Sequence, residues 1–161
     1  MRLLMSLLVL FLCTASPVSA GPYEDGSAAY SRSDYATAMR LLRPLADQGN
    51  GGAQILVGMM HELGQSVPKN GAAAAEWYRR AADKGWPSAQ GNLGALYAQG
   101  LGVPRDYVQA YKWWTLAAAR FPASSRDRRD TALQSRSEIT AKMTQAQIAE
   151  AERQAREWKP R

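Results

Sequence analysis

The residues of this chain with the clearest capacity for chemistry are the adjacent pair His61 and Glu62. Histidine titrates near neutral pH and can exchange a proton with a neighbouring carboxylate, so the pair is compatible with general acid–base catalysis. It is accompanied by no nucleophile with a suitably spaced base, no glycine-rich phosphate loop and no specific pair of carboxylates. His61 also stands where an aromatic residue recurs later in the chain, at Tyr97. We therefore favour packing over catalysis as its role.

Metal and disulfide chemistry are disfavoured by the residue counts. The chain has one histidine and one cysteine, Cys13. One histidine does not build a histidine-rich metal site, and one cysteine does not form an internal disulfide. We expect no metal, no cofactor and no catalytic residue.

The densest charge lies at residues 126–130, which read Arg-Asp-Arg-Arg-Asp, with Arg136 beyond. One interpretation is a docking patch for an acidic partner or a membrane surface. The other is an exposed helix face with ion pairs four residues apart, such as Arg126 with Asp130. We favour the second interpretation, in which the charges are structural.

The first residues are typical of a cleavable secretory signal peptide. Arg2 precedes an apolar run too short for a comfortable permanent membrane span, and small residues follow just before Gly21. The residue before Cys13 is leucine, where lipoprotein signals carry a small residue. We expect a signal peptide at 1–20, no stable membrane anchor, and export to the periplasm or beyond. Export would also remove the protein from cytosolic DNA, so we expect no nucleic-acid partner.

The rest of the chain has the composition of one helical domain. Of 161 residues, 46% are hydrophobic and 21% charged, which argues against disorder. Twenty-eight alanines against nine Val plus Ile favour helix over strand. Removing Arg2 with the leader leaves 19 basic against 14 acidic residues. This excess serves solubility or, alternatively, steers anionic partners. We predict an all-α domain over 21–161.

A repeat of 36 residues organises this domain. Residues 53–88 align without a gap on 89–124, and a period of this length is typical of stacked helical units. The matched positions include glycines, alanines and aromatic residues: Gly58 with Gly94, Gly64 with Gly100, Trp77 with Trp113, and Tyr78 with Trp114. Each unit is therefore predicted to pair a first helix with a second.

Residue types at these positions predict where each helix begins, ends and packs. Gly58 and Gly94 fall inside first helices, where glycine is unfavourable unless a partner helix approaches closely. Gly100, like Gly64, is expected to end its helix in the left-handed conformation. Asn70 and Asp106 are expected to cap the second helices. The aromatic pairs then lie on one stripe of each second helix.

The same offset extends backward, and a different pattern follows. The leading unit is predicted to hold helices at 23–31 and 35–48. The units therefore span about 24–52, 53–88 and 89–123. Past Arg120 the pattern weakens, and two further helices, the second opened by a capping box at Thr144, form a cap over 124–158.

These motifs resemble the Sel1-like repeat, a relative of the tetratricopeptide repeat. The resemblance rests on the run from Leu93-Gly94 through Tyr97, Gly100, Gly102-Val103 and Asp106 to Trp113-Trp114 and Ala117-Ala118, and on its copy at 53–88. It implies a short right-handed α-solenoid of stacked antiparallel helix pairs, with three to four units. It also implies an adaptor or scaffold that binds a peptide or helix of another protein in its concave trough.

By analogy with the tetratricopeptide repeat, first helices line the trough. The candidate partner-binding residues are then Ile55, Met59, Glu62, Leu63, Ser88, Gly91, Ala95 and Gln99. Met60 is interpreted as core because it aligns with Leu96, whereas Met59 and Leu63 suit either the core or an apolar anchor in the trough.

Two other functions stay open. The basic surface would suit an anionic envelope polymer such as peptidoglycan or acidic polysaccharide. An enzyme acting on the cell wall or on β-lactams would use His61 and Glu62. We favour the adaptor, in envelope regulation or assembly, because the repeat is clear and a catalytic constellation is missing from the sequence.

Overall fold

A computed structural model of the chain describes residues 21–161, and all regular structure in this range is helical. The α-helices are α1 (Pro22–Ser31), α2 (Tyr35–Asp47), α3 (Gly51–Leu63), α4 (Gly71–Asp83), α5 (Pro87–Gln99), α6 (Tyr107–Arg120), α7 (Arg126–Thr140) and α8 (Gln145–Glu157). The predicted all-α class is confirmed. Within this range, no helix is both long and apolar enough to cross a membrane. The predicted signal peptide falls outside the described residues.

Consecutive helices pack against one another and build a solenoid. Helices α1 and α2, α3 and α4, and α5 and α6 form three pairs, and each second helix also contacts the first helix of the following pair. The apolar residues of each pair are therefore covered by its neighbours, as expected for repeat architectures.

The predicted helix ends are confirmed. The side chain of Asn70 accepts a hydrogen bond from the backbone N–H of Ala73 at 3.0 Å, and Asp106 does the same for Gln109 at 3.0 Å. Gly64 and Gly100 end their helices in the left-handed conformation, each with φ of 73°. Because glycine lacks a Cβ, this conformation carries little steric cost.

A buried glutamine ties each unit to the one before it. The Nε2 of Gln54 donates to the carbonyl of Ala46 at 3.0 Å, and Gln90, 36 residues later, donates to Ala82 at 3.1 Å. In each case a first helix reaches the carbonyl end of the preceding second helix. Each carbonyl also accepts a backbone N–H, from Gly49 and Gly85 respectively, so the glutamine is a second donor to a carbonyl at the end of its helix.

The mid-helix glycines make room for aromatic rings. A Cβ at Gly58 would lie 2.6 Å from Cε1 of Tyr78, and one at Gly94 would lie 2.9 Å from Cδ1 of Trp114. The close approach predicted from the sequence is thus that of a ring on the second helix of the same unit. Trp77 and Trp113 are both buried.

The two helices of the C-terminal cap both pack on α6. The first begins at Arg126, after a 3₁₀ turn at Ala123–Ser125, and the second opens with the predicted capping box at Thr144. Beyond α8, Trp158 meets Trp113 edge to face, with ring centroids 6.3 Å apart. The predicted ion pair between Arg126 and Asp130 is wrong, because Asp130 pairs with its neighbour Arg129 at 3.4 Å.

Candidate partner-binding trough

The first helices α1, α3 and α5, together with α7, line a cavity of about 730 Å³ that we call the trough. Its lining consists of Tyr23, Ser27, Gly52, Ile55, Leu56, Met59, Trp86, Ser88, Gly91, Asn92, Ala95, Trp114, Phe121, Arg128, Thr131, Ala132 and Ser135. A cavity of this size accommodates a short segment of polypeptide or a ligand of comparable volume.

The 36-residue offset continues across the trough. Tyr23, Met59, Ala95 and Thr131 lie at successive steps of the offset, and all four line the cavity. Helix α7 therefore occupies the place of a fourth first helix, although its sequence pattern is weak. The cap is in this respect a continuation of the solenoid as well as its end.

The wall formed by α3 is apolar and bulky. Ile55, Leu56 and Met59 lie on one face at helical spacing and are half-buried. The equivalent residues of α5 include Gly91 and Ala95, and a Cβ added at Gly91 would meet no atom within 4 Å. The space of the trough therefore lies over α5, beside the larger side chains of α3.

Aromatic side chains stand at the end of the trough where the first helices begin. Trp86, which precedes α5, is 45% exposed, and its ring lies so close to Gly51 that a Cβ there would clash with the indole. Tyr23 covers Gly52 in the same way. Phe121 lines this end as well. The two glycines at the start of α3 let these rings pack on its backbone.

The opposite wall, formed by α7, is polar. Arg128, Thr131 and Ser135 line the cavity from this helix. The Nη1 of Arg128 lies 3.5 Å from the hydroxyl of Ser88 on α5. Among the described residues that line the trough, Arg128 is the only one that carries a charge at neutral pH.

The structure brings part of the predicted trough set together. Ile55, Met59, Ser88, Gly91 and Ala95 all line the cavity, and their role in binding stays a prediction. The remaining three predicted residues, Glu62, Leu63 and Gln99, do not line it, since they lie at the C-terminal ends of α3 and α5.

Each of these three has a different environment. The Glu62 carboxylate accepts a hydrogen bond from the hydroxyl of Tyr78 at 2.6 Å. Leu63 is 57% exposed, and Gln99 is also exposed. Met60 is fully buried, as predicted.

Sequence reasoning missed Leu56 on α3, Asn92 on α5 and the residues that α1, α6 and α7 contribute. The offset itself was a signal for two of them, because Tyr23 lies 36 residues before Met59, and Arg128 lies 36 after Asn92. Trp86 and Phe121 had no such signal, since they lie in the connections between helices.

His61 and Glu62 do not line the trough. His61 is half-buried, and its burial, together with the nearby Arg43, lowers the pKa of its imidazole, which is therefore neutral at pH 7. Burial and the hydrogen bond to Glu62 both raise the pKa of Tyr78 far above its usual value. The pair thus packs among structural residues. Residues 21–161 contain no cluster of His, Cys, Asp and Glu suited to hold a metal ion.

A second cavity, of about 520 Å³, lies between α6, α7 and α8. Tyr111, Arg136, Glu152 and Trp158 are among its lining residues. The Tyr111 hydroxyl donates to Glu152 at 3.3 Å, and the Arg136 guanidinium lies over the Tyr111 ring. Its polar groups are therefore largely engaged with one another.

The Sel1 repeat matches the chain over residues 20–50, 52–86 and 87–120. No curated protein matches it.

Among solved structures, the chain is similar to a protective antigen present in uropathogenic Escherichia coli strains that displays an SLR fold. The identity is 29% over 85% of this chain, with a TM-score of 0.72, and the match spans 29% of that protein's chain. It is also similar to a Sel1 repeat protein from Oxalobacter formigenes, with 32% identity over 68% of this chain and 86% of that one, and a TM-score of 0.57.

Proposed function

The chain belongs to the Sel1 repeat family, and from that premise we propose that it is an exported adaptor that holds a segment of another protein in the trough. Sel1 repeats generally mediate protein–protein interaction, and their fold is typically a non-enzymatic scaffold. The partner is a peptide or helix segment, because the trough is too small for a large folded surface.

The lining of the trough is the observation that supports this proposal. It joins half-buried apolar side chains on α3, open space over Gly91 and an exposed tryptophan, Trp86. Apolar concave surfaces with aromatic residues are the usual sites at which proteins receive peptide segments. The second cavity supports this role less well, because its polar groups pair with one another.

Export is the second part of the proposal, with a role in regulation or assembly in the cell envelope. It is supported by the leader pattern of Arg2, an apolar run and small residues before Gly21. N-terminal sequencing of the protein recovered from the periplasm or medium should begin near Gly21. Recovery of the uncleaved chain in the cytoplasm would contradict export.

Site-specific photo-crosslinking in cells tests the adaptor role. A photo-reactive amino acid in place of Gly91 would project into open space in the trough, whereas the same group at the exposed Leu101 lies outside it. We expect a protein partner to be captured from position 91 and not from 101. Failure to capture a protein from position 91 would contradict the proposal.

The charge substitution Met59→Glu then separates trough binding from other contacts. It should abolish capture, because burying the apolar ligand against a carboxylate is unfavourable. Leu133→Glu is the matched control, since Leu133 is exposed on α7 and does not line the trough. Equal capture by both variants would contradict binding in the trough.

The competing candidate is an anionic envelope polymer, favoured by the excess of 19 basic over 14 acidic residues in the predicted mature chain. It predicts binding to purified sacculi that weakens from low to physiological ionic strength. Such binding, together with no captured protein, would replace the adaptor proposal.

A further inference from the structure

We propose that the trough selects a partner segment in which an acidic side chain accompanies apolar ones, and that Arg128 is the residue that recognises the acid. This inference rests on the proposed function and names the chemistry of the partner. The juxtaposition that supports it is a guanidinium on α7, without an acidic partner among residues 21–161, in a cavity that it shares with the apolar wall on α3.

At one position of the repeat, the polarity of the side chain that faces the trough increases from α3 to α7. Leu56, Asn92 and Arg128 occupy equivalent positions on α3, α5 and α7, and all three line the trough. Their side chains change from apolar through neutral polar to cationic across the solenoid. A segment in the trough therefore meets an apolar surface on one side and a cation on the other.

Arg128 has no acidic partner in the described part of the chain. The ion pairs found there involve other arginines, and Asp130 on α7 pairs with Arg129. The polar contact of Arg128 is to the neutral hydroxyl of Ser88 at 3.5 Å. A guanidinium presents parallel N–H donors that match a carboxylate, so an acidic group is the natural complement.

The apolar wall on α3 determines which side chains of the partner segment bind beside its acidic residue. Ile55, Leu56 and Met59 offer aliphatic surface, on which sugar hydroxyls would lose water without gaining hydrogen bonds. A side chain such as leucine or methionine gains from the same surface, and methionine at position 59 adapts its shape readily. The wall therefore favours polypeptide over polysaccharide.

The acid is a side chain within the segment and not its C-terminal carboxylate. The polar wall continues beyond Arg128 to Thr131 and Ser135, about two helical turns further along α7. A bound chain thus has polar surface on which to continue past the arginine.

Peptide selection tests the inference and requires no identified partner. A random dodecapeptide library, displayed with both ends extended, is selected on the protein expressed from its full sequence, and again on Arg128→Gln. We expect peptides from the unaltered protein to be enriched in Asp or Glu beside Leu, Met or aromatic residues. Arg128→Gln should lose the acidic enrichment and keep the apolar one.

Affinity measurements on one enriched peptide make the test quantitative. Replacing its acidic residue by the amide should weaken binding to the unaltered protein about two- to fivefold, as for an exposed charge pair. The same replacement should have no effect on Arg128→Gln. A peptide with lysine at that position should bind Arg128→Glu better than the acidic peptide does. Arg129→Gln is the matched control, since Arg129 pairs with Asp130 outside the trough.

The outcomes separate this inference from the function on which it rests. Enriched peptides that are lost on Met59→Glu but show no acidic preference, or keep it on Arg128→Gln, would overturn the role of Arg128 and leave the adaptor standing. Acidic preference only at the free C-terminus of otherwise equivalent peptides would overturn the internal side chain. No enriched peptide, or binding unaffected by Met59→Glu, would overturn both.

Discussion

The second and third units share one backbone plan but present different surfaces to the trough. The packing contacts of one unit are repeated in the other: Gln54 and Gln90 make the same hydrogen bond to the preceding unit, and Gly58 and Gly94 each face a ring of their own unit. The residues that line the trough are not repeated in this way, since Ala95 of the third unit stands at the position of Met59 in the second. Packing within and between units thus restrains the positions that meet another helix and leaves the concave positions free for specificity.

The two units also satisfy their aromatic polar groups differently. The Tyr78 hydroxyl donates to Glu62 at 2.6 Å, whereas Nε1 of Trp114 donates to the carbonyl of Gly91 at 3.1 Å. Both partners lie on the first helix that faces the ring. The position shared by Tyr78 and Trp114 therefore requires an aromatic ring whose polar group finds an acceptor. The acceptor is a side-chain carboxylate in the second unit and a backbone carbonyl in the third.

The largest effect is expected at the aromatic position that both units share. Trp113→Ala should lower the free energy of unfolding by about 3–5 kcal/mol, because it removes a buried ring that packs on Trp158. Trp77→Ala should cost a similar amount. Urea unfolding followed by circular dichroism measures both.

A milder change at the same site keeps this prediction testable if the alanine variants do not fold. Trp113→Phe should cost much less, since the buried indole Nε1 has no hydrogen-bond partner among the described residues. A loss below about 1 kcal/mol for Trp113→Ala would mean that the ring is not part of the core.

Two glycines on different helix faces, one packed against a ring and one facing the trough, give the sharpest contrast between packing and concave positions. Gly58→Ala should destabilise by about 1–3 kcal/mol, since its Cβ would lie 2.6 Å from the Tyr78 ring. Gly91→Ala should instead stabilise by about 0.5–1 kcal/mol, because its Cβ meets open space within a helix. Thermal and urea unfolding of both variants measure the difference, and equal effects would contradict the assigned helix faces.

The hydrogen bond specific to the second unit predicts a smaller effect with a pH signature. Tyr78→Phe should cost about 1–2 kcal/mol at neutral pH by removing the donor to Glu62. Burial raises the pKa of Tyr78 well above that of an unfolded tyrosine. Stability should therefore fall as pH rises above about 10, where the unfolded chain releases the proton and the native one retains it.

The Tyr78→Phe variant supplies the control for that signature. Its stability should decline less steeply above about pH 10 than that of the unaltered protein. Parallel profiles for the two proteins would contradict the raised pKa.

The smallest effect concerns His61, which stands where the third unit has Tyr97. Burial lowers the pKa of His61, so the unfolded chain binds more protons as pH falls below about 6.5, and stability decreases there. Arg79 donates to the Tyr97 hydroxyl, and Arg43 occupies the equivalent place near His61. His61→Tyr should thus flatten the stability profile between neutral and mildly acidic pH, measured by urea midpoints. A profile unchanged by the substitution would argue against a buried neutral imidazole.

The sequence predicted the fold well because its signals are local and repeated. Left-handed glycines and caps such as Asn70 each act within a few residues, and the offset aligns them between units. The trough was harder to predict, since it depends on side chains from four first-position helices and the connections between them. Trp86 reaches the trough only because Gly51 lets its ring lie on α3, a contact that no periodicity encodes.

Arg128 illustrates the same limit. Its charge was visible in the run 126–130, yet the run favoured a solvated helix face with an Arg126–Asp130 pair. The structure pairs Asp130 with Arg129 and places Arg128 beside Ser88. Which member of a charge run faces a cavity depends on how the helix docks, and α7 docks on α6 through side chains spread along its length.

Methyl NMR with an enriched peptide tests most directly whether the concave face is the binding site. Titration should shift or broaden the methyl signals of Ile55, Met59 and Ala95 and leave those of Ala119 and Ala155, in the second cavity, unchanged. The reverse result, with changes at Ala119 and Ala155 and an unperturbed Met59, would contradict the account.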